Sequence, residues 1–305
     1  MRIAVMGAGA IGGYIGARLA SAGHEVAFVA RGAHLAAIRQ DGLKVTSPVG
    51  DLHIAPATAT DEVSEIGAVD AVLFAVKLYD VEAAVESIRP LVGPETLVIC
   101  LQNGVEAIDI VGAAYGPERV AGGVVLINAE IAAPGVVQHN SMNGLTLGEL
   151  GGGPSPRLDA LAAELDGTGV ETRVSDDIRL ELWRKFLGLA PMSSISAMTR
   201  LPLERIRNQP ETWALAEMAM REVVAVANGQ GIGLDDGDVR DSLAFVQGMK
   251  ESWKASLTVD LERGRRLEVD WLAGTVCRLG AATGVETPFH RVAWGVLKPF
   301  ADGRG

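Results

Sequence analysis

Gly7-Ala8-Gly9-Ala10-Ile11-Gly12 follows the short apolar run Ile3–Met6 and opens a segment of helical periodicity. A G-x-G-x-x-G pattern between a strand and a helix suits the pyrophosphate of a dinucleotide. Gly7 permits the tight turn, Gly9 lets the backbone approach the phosphates, and Gly12 lets helix and strand pack closely. The helix start adds N–H groups and a partial positive charge, so the whole loop, Ala8, Ala10 and Ile11 included, is a candidate cofactor site. The second strand ends at Ala30-Arg31, where NAD-specific folds usually carry Asp or Glu. An arginine fork there suits a 2′-phosphate and favours NADP(H), the alternative being a surface arginine.

Two later strand ends supply further polar groups. Phe74-Ala75-Val76-Lys77 ends in Lys77, and Cys100-Leu101-Gln102-Asn103 ends in Asn103. Ligands of open α/β sheets bind at the carboxyl ends of strands, although ordinary loop residues fit both positions too. Lys185 falls on an apolar helical stripe with Leu182 and Leu189. Desolvation there would lower its pKa and suit it to proton donation. The other reading is a stem that covers apolar surface while its ammonium reaches water. Glu268 sits in Arg266-Leu267-Glu268-Val269-Asp270-Trp271, on an expected helix over Arg265–Ala282 with Leu267, Trp271 and Leu279 buried. Pairing with Arg265 or Arg266 is equally open to it.

These residues need a scaffold of alternating elements. Strands are expected over Arg2–Met6, Glu25–Ala30, Asp70–Val76 and Thr96–Leu101. Helical stretches are expected over Ala10–Ala20, Leu35–Gln40, Val81–Ile88 and Val105–Ala114. Such alternation signals a parallel sheet with crossover helices. Val120–Ile127, Val136–His139 and Leu145–Leu147 extend the sheet or form a meander at its edge, and Val170–Val174 reads as one more strand. Ser175, with Asp176 and Asp177 after it, reads as a helix N-cap. Helices follow over Asp177–Ala190, Thr212–Gln230, Val239–Trp253, Arg265–Ala282 and Arg291–Phe300. The fold class is therefore α/β: a Rossmann-type dinucleotide-binding domain over residues 1–174, then an all-helical substrate domain over 175–305.

The chain has 305 residues and a net charge of -11, which disfavours nucleic acid as a partner. No stretch reaches the roughly 18 uninterrupted apolar residues of a membrane span, and the apolar start is too short for a signal peptide. A cytoplasmic protein with no membrane partner is expected. The two cysteines, Cys100 and Cys277, are distant and lack CxxC spacing, and the five histidines form no HxxH pair. Reduced thiols and no metal centre follow. The Ala- and Val-rich helices suit either a homodimer interface or the core of one chain.

The order and spacing of Gly7–Gly12, Arg31, Val76-Lys77, Asn103-Gly104, Leu182-Trp183-Arg184-Lys185 and Glu268-Val269-Asp270 resemble the ketopantoate reductases (2-dehydropantoate 2-reductases) along nearly the whole chain. The resemblance implies NADPH-dependent reduction of a 2-oxo acid, with Lys185 protonating the carbonyl oxygen. It implies that Glu268 binds the substrate hydroxyl and holds the lysine. Lys77 and Asn103 then line the cofactor and substrate site, and Ser256 contacts substrate. The family's asparagines four and eight residues after the lysine are replaced by Leu189 and Ser193, and a further one aligns with Leu203. Loss of amides from a pocket changes what it can hydrogen-bond, so a paralogous NADP-dependent dehydrogenase for another oxo or hydroxy acid, less polar or differently shaped and bound in part at Ser193, is a second reading. A non-catalytic NADP-binding regulatory protein is a third, and it has no need of Lys185 or Glu268.

Overall fold

The computed structural model describes residues 1–250 and 253–303. Two compact units emerge. The first comprises Met1–Asn103 and Ala107–Ile178; the second comprises Gly104–Glu106 and the described residues from Arg179 onward.

In the first unit β1 (Arg2–Met6) leads through the glycine loop into α1 (Ala10–Ser21), then β2 (Glu25–Val29) and α2 (Gly32–Asp41). Three short strands follow: β3 (Leu43–Thr46), β4 (Leu52–Ile54) and β5 (Thr58–Thr60). Next come β6 (Val69–Phe74), α3 (Val81–Ser87), β7 (Val92–Cys100) and α4 (Ala107–Tyr115). The unit closes with β8 (Val120–Ala133), β9 (Val136–Glu149), α5 (Pro156–Gly167) and β10 (Glu171–Val174). The strands form one sheet ordered β4-β3-β9-β8-β7-β6-β1-β2-β5, with β10 pairing on β9. The pairs from β7 through β6, β1 and β2 to β5 are parallel, whereas β8 and β9 form a long antiparallel hairpin. The chain reaches one edge at β5 and then crosses to β6 on the other side of β1. The switch in winding direction therefore lies at β1 and β6, where doubly wound sheets place a ligand.

Burial explains the sheet. The strands β1, β2 and β6 read as near-continuous apolar runs because both faces are covered. Helix α1 buries Tyr14, Ile15, Ala17 and Leu19, all at 0% exposure. A Cβ on Gly16 would lie 2.7 Å from Phe28 and from Val5, so this glycine sets how closely α1 approaches β1 and β2.

Several expectations are corrected. The strands β3, β4 and β5 span three or four residues each, too short for periodicity to register. The expected meander is a hairpin of two 14-residue strands, with β9 inside the sheet between β8 and β3. Helix α5 was not expected, although Ser155 caps it by accepting from Leu158 N–H at 3.3 Å and Pro156 occupies its first turn.

The second unit is helical. It contains α6 (Ile178–Thr199, entered from the first unit), α7 (Leu203–Arg207), α8 (Pro210–Gly229), α9 (Asp236–Gly248), α10 (Ser256–Glu262), α11 (Ala273–Thr283) and α12 (Pro288–Leu297). Ser175 caps only a turn, accepting from Asp177 N–H at 3.2 Å, and α6 starts three residues after it. The same helix runs through Pro191 to Thr199, past the expected end at Ala190. Glu222 of α8 ties α12 in place, accepting from the N–H groups of Phe289 at 2.7 Å and His290 at 3.2 Å and meeting His290 Nδ1 at 2.7 Å. No described helix is long and apolar enough to cross a membrane.

Candidate functional site

The glycine loop is shaped by contacts that only glycine allows. Gly7 has φ +96°, and a Cβ there would lie 3.0 Å from the backbone of Ala75 and Val76 after β6. A Cβ on Gly12 would sit 2.3 Å from the Gly7 carbonyl oxygen and 2.9 Å from Val5. Gly9 is the opposite case, because a Cβ there would meet nothing within 4 Å. Space is open beside Gly9 while Gly7 and Gly12 are jammed against the sheet, as a phosphate cradle requires. Gly9 is the N-cap of α1, no side chain caps it, and the first turn carries no acidic residue. The first intrahelical bond runs from Gly13 N–H to the Gly9 carbonyl at 2.8 Å. The N–H groups ahead of it, those of Ala10, Ile11 and Gly12, have no intrahelical acceptor and carry the positive end of the helix.

Gly9→Ala and Gly12→Ala should therefore separate folding from binding. Gly9→Ala should melt like wild type but lose dinucleotide affinity, since its methyl fills the open space. Gly12→Ala should lower stability by about 1–3 kcal/mol. Thermal denaturation and dinucleotide titration read the two effects, and normal binding by Gly9→Ala would remove the loop from the cofactor site.

The other cofactor candidates lie at neighbouring strand ends of the same sheet. Arg31, exposed, follows β2, which pairs with β1 through Met6 and Val29. Lys77, exposed, follows β6, and half-buried Asn103 follows β7. The ends of β6 and β7 are joined where Leu101 N–H donates to the Phe74 carbonyl at 2.9 Å and Gln102 Nε2 donates to it at 2.8 Å. Four consecutive strands thus present the glycine loop, Arg31, Lys77 and Asn103 at one carboxyl edge.

His34 of α2 is a residue the sequence reading passed over. Its Nε2 lies 2.9 Å from the Ala8 carbonyl, and its Nδ1 accepts from Gly135 N–H at 3.0 Å. Burial lowers its pKa, against the raising effect of the Ala8 carbonyl.

The second unit holds the acid–base candidates. Lys185 on α6 is half-buried, flanked by Trp183 at 5% and Phe186 at 1% exposure. These two rings meet edge to face at 5.7 Å. Helix α6 is braced against α9 by Arg184 Nε donating to Asp238 at 2.9 Å. Desolvation lowers the Lys185 pKa to about 8, and the charge of Glu268 opposes that lowering. The two residues therefore share an electrostatic environment, which helical periodicity does not reveal. Glu268 is buried, whereas Arg265 and Arg266 are exposed.

Glu268 is not on a long helix. Gly264 has φ +64°, and the chain from Arg265 to Glu268 is extended or irregular before a single 3₁₀ turn over Val269–Trp271. Leu267 is buried as expected, whereas Trp271 and Leu279 are only half-buried. Leu267 N–H donates to the Ala301 carbonyl at 2.8 Å, and Trp271 N–H donates to the Glu268 carbonyl at 3.0 Å. Asp270 accepts from Trp294 Nε1 and from Lys298 Nζ at 2.7 Å. Arg278 donates to the Asp270 carbonyl and to Glu106, each at 2.7 Å, and Thr275 also donates to Glu106. These ties anchor the backbone on both sides of Glu268. Their members are separated widely along the chain, so no local motif announces them.

The remaining substrate-side candidates differ in access. Ser256 is exposed at the first turn of α10. Leu189 is half-buried. Ser193 is 1% exposed, and its hydroxyl has no hydrogen-bond partner among the described residues. Leu203 is at 0% exposure, a core position. Cys100 is buried, which pushes its thiol pKa up, and neither it nor half-buried Cys277 is in a disulfide.

Comparison with known proteins finds one family in both parts of the chain. Residues 3–152 match the family model "Ketopantoate reductase PanE/ApbA", and residues 177–301 match its C-terminal counterpart. The chain belongs to the ketopantoate reductase family. A 2-dehydropantoate 2-reductase of Mesorhizobium japonicum is 36% identical over 100% of this chain and 99% of its own. The crystal structure of a 2-dehydropantoate 2-reductase from Geobacter metallireducens GS-15 is 34% identical with TM-score 0.92, covering 98% of this chain and 99% of that one. A D-mandelate dehydrogenase solved with NADH and anilino(oxo)acetate has the same fold, with TM-score 0.90 and 24% identity, over 99% of this chain and 98% of its own. Membership in the ketopantoate reductases makes the protein an oxidoreductase that acts on a CH–OH group with a nicotinamide dinucleotide.

Proposed function

We propose that the protein reduces a 2-oxo acid to its 2-hydroxy acid with NADPH, the family reaction being 2-dehydropantoate to pantoate. The observation that carries this reading is Lys185, a lysine held to a pKa of about 8 by desolvation beside the buried carboxylate of Glu268. A group with that pKa is largely protonated near neutrality and still gives up its proton readily. Bound NADPH supplies hydride to the carbonyl carbon. The ammonium of Lys185 donates a hydrogen bond to the carbonyl oxygen, stabilises the negative charge that develops there and then protonates it. Glu268 keeps the ammonium charged and accepts a hydrogen bond from a substrate hydroxyl. Ser256 offers a second polar contact. The Gly9–Gly12 turn would hold the pyrophosphate and Arg31 the 2′-phosphate, while Lys77 and Asn103 would line the cofactor and substrate site.

The second reading, a less polar 2-oxo acid, rests on Leu189 and Ser193. Leu189 brings an apolar surface one helical turn from Lys185, and Ser193 has a short buried hydroxyl in place of an amide. Turnover of 2-dehydropantoate beside branched and straight 2-oxo acids, followed by loss of NADPH absorbance, decides between the two. Highest kcat/KM on 2-dehydropantoate supports the family reaction. Weak turnover of it, with efficient turnover of a straight or branched apolar acid, supports the second reading. No turnover of any 2-oxo acid by protein that binds NADPH would overturn both.

A further inference from the structure

We propose that His34 is a positioning residue of the dinucleotide cradle, fixing the Ala8–Gly9 peptide so that the Gly9 N–H faces the cofactor phosphates. The inference rests on the dinucleotide reading of the glycine loop. A carbonyl oxygen can only accept, so His34 Nε2 carries the proton and donates to the Ala8 carbonyl across 2.9 Å. Gly135 N–H can only donate, so Nδ1 holds a lone pair and accepts across 3.0 Å. Together the two bonds specify one neutral tautomer. An imidazolium has no lone pair to offer Gly135, and the other tautomer satisfies neither partner. The burial that lowers the pKa of His34 favours the same uncharged form.

The geometry of the peptide unit carries this to the cofactor. In a planar trans peptide the C=O and the following N–H point in opposite directions. Holding the Ala8 carbonyl toward α2 thus aims the Gly9 N–H away from α2. Gly9 borders open space, where a Cβ would meet nothing within 4 Å. The other end of the Ala8 residue is pinned as well, since Ala8 N–H donates to the Val29 carbonyl at 2.9 Å. Among the described residues His34 is the one side chain that hydrogen-bonds this peptide, and without it a rotation of that plane would turn a carbonyl oxygen toward the phosphates. The hairpin tip completes the support. Gly135 lies at the β8–β9 turn with φ +75°, a Cβ on it would be 3.0 Å from the Ala37 Cβ on α2, and its carbonyl accepts from Lys44 N–H at 2.9 Å. His34 therefore joins the glycine loop to a fixed hairpin tip.

Two near-isosteres separate its two bonds. In His34→Gln the amide N–H reaches the position of Nε2 and can still donate to Ala8. In His34→Asn the amide oxygen takes the place of Nδ1 and can still accept from Gly135, but the side chain is too short to reach Ala8. Titration of each variant, and of His34→Ala, with NADPH and NADH by cofactor fluorescence, beside thermal denaturation, tests the role. The expected result is an increase in Kd of about tenfold for His34→Asn and His34→Ala, the worth of one well-placed hydrogen bond. The factor is the same for both dinucleotides, because the backbone N–H groups serve the pyrophosphate they share. His34→Gln stays within about threefold of wild type. Wild-type affinity in His34→Asn, a loss in His34→Gln equal to that in folded His34→Asn, or a loss confined to NADPH would each overturn the assignment. If His34→Ala fails to fold, the Gln and Asn variants still decide. Wild-type protein that binds neither dinucleotide would overturn the cofactor reading itself, and the role of His34 with it.

Discussion

Lys185→Ala should reduce kcat for 2-oxo acid reduction by about 10²–10⁴, the usual worth of a positioned general acid, and leave the Kd for NADPH close to wild type. The asymmetry follows from placement: Lys185 is on α6 of the second unit, whereas the glycine loop and Arg31 belong to the first. Lys185→Arg retains the positive charge but replaces an acid of pKa about 8 by one that holds its proton, so it should recover little of the rate. The pH profile carries the sign. Reduction needs the protonated amine, so the rate is full below the Lys185 pKa and falls as pH rises through about 8. Oxidation of the hydroxy acid needs the neutral amine and rises over the same interval. Glu268 raises the lysine pKa against the larger effect of desolvation, so Glu268→Gln should move the alkaline limb of reduction to lower pH. Steady-state kinetics across pH, paired with NADPH titrations, test the whole set. An equal loss of kcat and of NADPH affinity in Lys185→Ala, or an unmoved limb in Glu268→Gln, would remove the proton-donor assignment.

The parts of this site legible in the sequence are those whose physics is local. Gly7, Gly9 and Gly12 are spaced by the geometry of one strand–turn–helix unit; Gly7 and Gly12 show the close backbone approach their spacing implies, and Gly9 borders open space. Lys185 was visible as a charge on an apolar stripe, because a helix converts sequence spacing into a face. The environment that sets its pKa was not visible, since Glu268 reaches the lysine only through tertiary packing. That same segment was misread as helix because Leu267 and Trp271 are spaced i, i+4. The positive φ at Gly264 and the non-helical Leu272, with φ -110° and ψ -91°, hold it out of helical geometry. His34 was one histidine among five, and only its two partners single it out. Helix α5 is different: Ser155-Pro156 was a readable start signal beside the glycines Gly151–Gly153, whose breaker character drew the reading instead. Leu203, which the resemblance aligns with a family asparagine, is at 0% exposure, a burial that spacing alone does not reveal.

Arg31→Asp should reverse part of the dinucleotide preference, moving the ratio of NADPH to NADH affinity toward NADH by about 10², the worth of losing charge-assisted hydrogen bonds to a phosphate. Arg31 lies two residues past β2 and directly precedes α2, the position from which doubly wound folds address the adenosine ribose. Its backbone is extended, with φ -137° and ψ 159°, and its side chain is exposed, so the substitution strains no left-handed conformation and empties no core. An effect on binding can therefore be read without a folding term. The aspartate acts on both cofactors: it repels the 2′-phosphate of NADPH and accepts from the ribose 2′-hydroxyl of NADH. Arg31→Ala separates these contributions, because it removes the guanidinium without adding a carboxylate. It should weaken NADPH binding and leave NADH binding near wild type. The contrast with His34 is diagnostic, since a defect in the Ala8–Gly9 peptide weakens both dinucleotides by one factor and a defect at Arg31 weakens NADPH alone. Titration of the three variants with both dinucleotides measures it. An unchanged NADPH/NADH ratio in Arg31→Asp would take Arg31 out of the 2′-phosphate site and return it to the protein surface as an ordinary solvated charge.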